Sequence, residues 1–176
     1  MTIQEKIQAI QGAINTIEQK FTEIALKRTA IAMQTGIEKR VREKSIKADG
    51  TKFGMYSERK VPVYYFMYSG MTRNIKFSDD EKREGISYAD FRKKLGKKNT
   101  YKNFELTGDM WRGFGIQSIR DYEFNLGGTN RDAQDKLQFN SYREGINIIM
   151  LNKEEEREAI NEIMGWLTEV IKMAIE

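Results

Sequence analysis

Ser57 and Lys60 carry the spacing Ser-x-x-Lys, in which a lysine amine can withdraw a serine proton and make a nucleophile. The companion motifs that complete such a centre do not accompany it, and the pair reads as a chance match. Asp79, Asp80 and Glu81 offer oxygens to a hard cation. Their spacing is not that of a calcium loop, and a solvated acidic turn is the commoner source of such a run. Gly113-Phe114-Gly115 lacks the third glycine of a dinucleotide-binding turn and follows a helix rather than a strand. No phosphate-cradling Gly-x-x-x-x-Gly-Lys-Ser/Thr loop occurs. The densest charge is Arg92, Lys93, Lys94, Lys97 and Lys98, with Lys102 close behind. So many cations cannot all find carboxylates cheaply within one small domain. The cluster is expected to face solvent, nucleic-acid phosphates or an acidic neighbour rather than its own core.

Composition narrows the chemistry further. The chain has 176 residues, no histidine and no cysteine. The commonest general base, the commonest metal ligand and every Ser–His or Cys–His nucleophile pair are therefore missing. No catalytic residue, cofactor or metal ligand is assigned, and the protein is expected not to be an enzyme. Hydrophobic residues make up 39% and charged residues 32%, which fits a soluble globular chain rather than a disordered one. The length suits a single domain with a real core. No run of about 18 apolar residues exists to span a membrane, and no secretory signal pattern opens the chain. The formal net charge of +4 is compatible with nucleic acid nearby but does not argue for it alone.

The elements that must position these residues begin with a long helix. Ile3, Ile7, Ile10, Ile14, Ile17, Phe21 and Ile24 form a heptad-like apolar seam, with Thr2 and Glu5 placed as a capping box. From Leu26 the stripe shifts to Leu26, Ala30, Met33, Ile37 and Val41. Either the helix breaks near residues 20–26, or one helix serves two partners. The first stripe is expected on a neighbouring subunit or, equally, in a helical hairpin folded on itself. Lys47–Gly54 reads as a loop. Val61–Tyr68 is β-prone, with Pro62 confining it to an edge or a strand start, and Asn74–Phe77 is a second strand candidate. Tyr88–Leu95 is expected as a short helix, 114–126 as one or two strands and Arg131–Phe139 as a short helix. Asn147–Leu151 is expected as a covered strand. Asn152 then caps a last helix that opens on Glu154, Glu155 and Glu156 and presents a broad apolar face to the core.

Phe104-Glu105-Leu106-Thr107-Gly108-Asp109-Met110-Trp111-Arg112 stands at the centre of this order. An extended approach enters a Thr-Gly turn, and a short helix follows. Thr107 can cap it, Gly108 supplies a backbone angle other residues avoid, and Met110 and Trp111 anchor it in a core. Upstream lie the basic amphipathic helix and the loop Phe53-Gly54-Met55-Tyr56-Ser57. Downstream come strands, Lys136-Leu137-Gln138-Phe139, and Ile148–Leu151 leading into the acidic helix start. This order, from Leu26 to Glu176, resembles the tail-completion or head–tail joining (virion morphogenesis) proteins of tailed bacteriophages. Residues 1–25 depart from the family's pattern as an N-terminal extension, and about 61–84 as an insertion within a single domain at 26–176. Leu106, Thr107, Gly108, Met110 and Trp111 match the family's Leu-Thr-Gly turn and its anchors, in a structural role.

The fold expected is α+β, a small and mainly antiparallel sheet packed with long N-terminal and C-terminal helices. The resemblance implies a non-enzymatic virion component of the neck or upper tail. Such a protein assembles with itself as a ring, joining or sealing the head-completion layer and the tail, with DNA passing through the lumen. It is made in the host cytoplasm, ends in the virion and has no membrane partner. Ile3, Ile7, Ile10, Ile14 and Ile17 are then the candidate intersubunit contact. Arg92, Lys93, Lys94, Lys97 and Lys98 are the candidate contact to channel DNA or an acidic partner. A nucleic-acid-binding module using the 92–102 cluster is the alternative, and a carboxylate-and-metal hydrolase is a further rival.

Overall fold

A computed structural model describes residues 2–67, 75–105, 107–120 and 122–175. The chain begins with one helix running from Ile3 to Glu43. Thr2 caps it as the spacing predicts: its hydroxyl accepts from Glu5 N at 3.2 Å, and Glu5 Oε2 accepts from Thr2 N at 2.6 Å. Helix α1 covers Ile3–Lys20, a π-helical stretch covers Phe21–Leu26, α2 covers Lys27–Glu38, and a second π stretch covers Lys39–Glu43. The first π stretch coincides with the jump in the apolar stripe. In an unbroken α-helix Ile17 and Leu26 would face about 180° apart; one residue absorbed by a π turn cuts this to about 80°. The helix does not break there. It widens, and Ile17, Phe21, Ile24 and Ala25 gather against one neighbour.

That neighbour is α8, Lys153–Ile175. It runs antiparallel to the long helix, with Glu155 beside Gly36 and Arg40, and Trp166 and Val170 among Ile17, Phe21, Ile24 and Ala25. Asn152 caps it: Asn152 Oδ1 accepts from Glu155 N at 2.7 Å, and Glu155 Oε2 accepts from Asn152 N at 2.9 Å. The broad core-facing surface expected for this helix is corrected. Trp166 and Val170 are buried, whereas Ile160, Met164 and Ile171 are exposed, because α8 is covered chiefly along the side that meets α1 and α2.

The main sheet is a hairpin of β3, Phe114–Arg120, and β4, Glu123–Gly128. They pair antiparallel from Phe114↔Gly128 to Arg120↔Glu123, with an irregularity between Ile116 and Ser118. Helix α7, Arg131–Glu144, follows, capped by Asn130 and longer than the pattern at 131–139 implies. It lies so close to β4 that a Cβ on Gly128 would sit 2.2 Å from the Gln134 nitrogen. The core forms where α2, this hairpin, α7 and the short helix α6, Asp109–Arg112, converge. Its buried centre is Ile37, Val41, Phe53, Met110, Trp111, Phe114, Leu137 and Ile148. The architecture is α+β.

A satellite cluster forms around Val63, Phe66, Ile86 and Phe91. A short pair joins β1, Lys60–Val61, to β2, Ile86–Ser87. Among the described residues of Val61–Tyr68, none beyond Val61 is in a strand. Pro62 cannot donate to a ladder, and Tyr64–Met67 forms the helical turn α3. Val63 and Phe66, three apart, are thereby buried together, with Phe66 stacked on Phe91 at 4.4 Å. Ile75–Phe77 is not a strand either; Tyr68 and Asn74 lie outside the described residues. The acidic run opens α4, Asp79–Glu84, capped by Ser78. Helix α5, Tyr88–Lys94, is found where the sequence places it. Asn147–Leu151 is a turn, not a strand. Asn147 Oδ1 accepts from Ile149 N at 3.1 Å and Asn147 O from Met150 N at 3.1 Å, so Ile148 drops into the core while Met150 points out.

Candidate functional site

The two loop motifs meet at Asn103. Its Oδ1 accepts from the Tyr56 hydroxyl at 2.9 Å, from Arg92 Nη2 at 3.0 Å and from Glu105 N at 3.3 Å. Its backbone N donates to Tyr56 Oη at 3.1 Å, and its carbonyl accepts from Trp111 Nε1 at 3.1 Å. One buried amide thus ties the Tyr56-Ser57 loop, α5 and the Trp111 anchor together. Burial pushes the Tyr56 phenol up from its ordinary pKa, so it stays a donor in neutral solution. Nothing in the sequence singles out Asn103, which stands in a polar loop with no spacing signature.

Beside Asn103 lies the Thr-Gly turn. Gly108 adopts φ +85°, a left-handed angle that the turn requires. The Thr107 hydroxyl accepts from Asp109 N at 3.3 Å and donates to the Asp109 carboxylate. Thr107 and Arg112 together hold that carboxylate below its ordinary pKa. Met110 and Trp111 are buried, as anchors must be. Leu106 lies outside the described residues.

Between these parts and α7 is a cavity of about 410 Å³. Tyr56, Tyr88, Phe104 and Met110 give it aromatic and apolar walls, and Thr107 and Gly108 form part of its edge. Its charged lining is Arg92, Lys102, Lys136, Arg143 and Glu144. Lys102 is neutralised by Glu144 at 2.7 Å, and Lys136 by Asp132 at 2.6 Å.

The basic cluster does not present itself as one surface. Arg92 is corrected outright: it is 1% exposed. Tyr88 and Arg92 are four residues apart on one face of α5, and that face turns inward onto Tyr56, whose ring lies 4.1 Å from the guanidinium carbon. Arg92 Nε donates to Lys98 O at 2.6 Å. Lys94 pairs with Glu81 at 3.0 Å, Lys97 reaches Glu105 at 4.0 Å, and Lys98 Nζ donates to Glu43 O at 2.8 Å. Lys93 is exposed.

On α1 the seam divides. Ile3, Ile7, Ile10 and Ile14 are 79%, 60%, 52% and 43% exposed, a steady decline toward the body of the protein. Ile17 is corrected: it packs with the Trp166 and Val170 cluster of its own chain.

The other chemical candidates do not assemble. Ser57 Oγ accepts from Arg59 N at 3.2 Å, and Lys60 Nζ pairs with Glu84 at 3.0 Å. Asp79, Asp80 and Glu81 pair with Lys82, Arg83 and Lys94. Among the described residues no three carboxylates converge as metal ligands. Gly113 is a packing glycine, since a Cβ there would lie 2.5 Å from that of Ala133. No family model matches the chain, and neither a curated protein nor a solved structure does.

Proposed function

We propose that this protein is a non-enzymatic structural subunit of a tailed-phage neck or upper tail, assembling as a ring between the head-completion layer and the tail. One observation carries the reading. Four isoleucines at heptad-like spacing, Ile3, Ile7, Ile10 and Ile14, stand in solvent on a capped helix whose continuation is packed into a well-formed body. Burying one such side chain is worth roughly 1.5–3 kcal/mol, so this arm gains most from a partner surface. Helix α8 offers a further uncovered apolar surface in Ile160, Met164 and Ile171. Two different patches on one subunit suit a heterologous contact, which closes into a ring when the rotation permits. The motif order from the Tyr-Ser loop to the acidic helix start points the same way.

The nucleic-acid-binding alternative is weakened, because Arg92 is internal and Lys94, Lys97 and Lys98 are engaged within the chain. The test is particle composition. Mass spectrometry of purified virions should detect the protein at a fixed copy number, and its gene should sit among portal, head-completion and tail-tube genes. Absence from purified particles would overturn the reading.

A further inference from the structure

The cavity beside Asn103 holds more positive charge than the chain compensates. Two of its four cations, Lys102 and Lys136, have carboxylate partners. Arg92 and Arg143 have none at ion-pair distance among the described residues. Arg92 is bound by neutral acceptors alone, Lys98 O and Asn103 Oδ1, and by the ring of Tyr56. Its Nη1 has no hydrogen-bond partner among the described residues. Arg143 lies over the ring of Phe139, 5.6 Å from its centroid.

Glu105 acts on Arg92 only from beyond ion-pair distance and is itself held by Arg42, and a guanidinium taken out of water without a directly paired carboxylate is costly. In a cleft with low-dielectric walls the unpaired charge projects a focused positive potential into the cavity. Tyr56, Tyr88, Phe104 and Met110 add apolar area, and about 410 Å³ lies within the size range of small-molecule pockets. We infer that this cavity is a binding site for an oxyanion carried on an apolar or aromatic body, with Arg92 supplying the buried charge and Arg143 the accessible contact. A phosphate monoester or a carboxylate meets that description, and its source is either a free small molecule or an acidic side chain offered by another protein. The inference stands apart from the assembly reading, since it needs no ring.

The test uses the full-length protein, labelled with nitrogen-15 and observed by NMR. Phenyl phosphate, benzoate, the blocked dipeptide acetyl-Asp-Phe-amide and uncharged benzyl alcohol are added separately. The expected result is saturable shifts of the Arg92 Nε–H and of the Thr107 and Gly108 amides with at least one anionic probe, and none with benzyl alcohol. Arg143→Gln, an exposed change that leaves the fold intact, should weaken the response about tenfold, as loss of a charge-assisted contact predicts. A tighter response to phenyl phosphate identifies a free phosphate source, and a tighter response to the dipeptide an acidic protein segment. Three results overturn the inference: no saturable shift up to about 10 mM of any anion, an equal response to benzyl alcohol, or an unchanged response in Arg143→Gln.

Discussion

Arg40 and Glu155 form a buried two-pronged ion pair that joins the two longest helical segments of the chain. Arg40 Nε donates to Oε1 at 2.7 Å and Nη2 to Oε2 at 3.2 Å, while Nη1 and Nη2 also donate to the carbonyls of Ile46 and Met150. Glu155 spends its remaining capacity on the cap of α8. Removing one partner strands a charge in the interior, so Glu155→Ala should cost about 3–5 kcal/mol in urea unfolding. Replacing both residues by Met and Leu should restore much of that loss. A single substitution costing under about 1 kcal/mol would mean water replaces the partner freely.

Trp111 is buried against Phe114 and donates to Asn103 O, the same residue that fixes Tyr56 and Arg92. Trp111→Ala should destabilise by about 3–5 kcal/mol. It should also broaden the NMR signals around the cavity, because the carbonyl of Asn103 loses its donor. Unchanged thermal stability would contradict its placement in the core.

Ser45 ends the long helix at φ +59°, is fully buried, and its hydroxyl has no hydrogen-bond partner among the described residues. A left-handed angle and an unsatisfied hydroxyl are both unfavourable in one residue. Ser45→Gly should therefore stabilise the protein by about 0.5–1 kcal/mol, against the usual direction for a serine-to-glycine change in ordered structure. A lower melting temperature would show that the hydroxyl fills needed volume.

Glu105 is held below the ordinary carboxylate range first by its hydrogen bonds to Arg42, and further by the charges of Arg42, Lys97 and Arg92. The guanidinium donates to the two carboxylate oxygens from Nε and Nη2, each at 3.0 Å. A carboxylate with a depressed folded pKa contributes stability that is present above its unfolded pKa and lost as pH falls through the folded one. Glu105→Gln should thus be less stable than the parent at pH 7, by no more than about 1 kcal/mol because Arg42 is partly in solvent. The gap should close as the solution is acidified below the ordinary glutamate range. A gap that stays constant with pH would assign the loss to packing.

What the sequence disclosed was local. Thr2–Glu5 and Asn152–Glu155 caps depend on residues three apart, and the hydrophobic phase jump at Leu26 marked the π stretch to within its own length. The candidate site was half legible: Tyr56, Thr107 and Gly108 stood in motifs, but Asn103 is defined by the partners that meet on it, Tyr56, Arg92, Glu105 and Trp111. Arg92 looked like its neighbours in a basic run, since what buries it lies in the distant Tyr56 loop and at Asn103, beyond the reach of helix or strand spacing. Val61–Tyr68 and Asn147–Leu151 failed for another reason. Short runs of consecutive apolar residues suit a covered strand and a tightly packed turn alike, and Pro62 and Asn147 decided for turns.

The account rests most heavily on the exposed seam of α1. Deleting residues 1–22 would also remove Ile17 and Phe21 from the Trp166 cluster, so substitution is the cleaner probe. Native mass spectrometry and particle imaging should compare the full-length protein with a variant combining Ile3→Gln, Ile7→Gln, Ile10→Gln and Ile14→Gln. The account predicts closed, concentration-dependent oligomers for the parent and a monomer of unchanged melting temperature for the variant. A parent that stays monomeric at every concentration, or a variant that loses its fold while still alone, would contradict it.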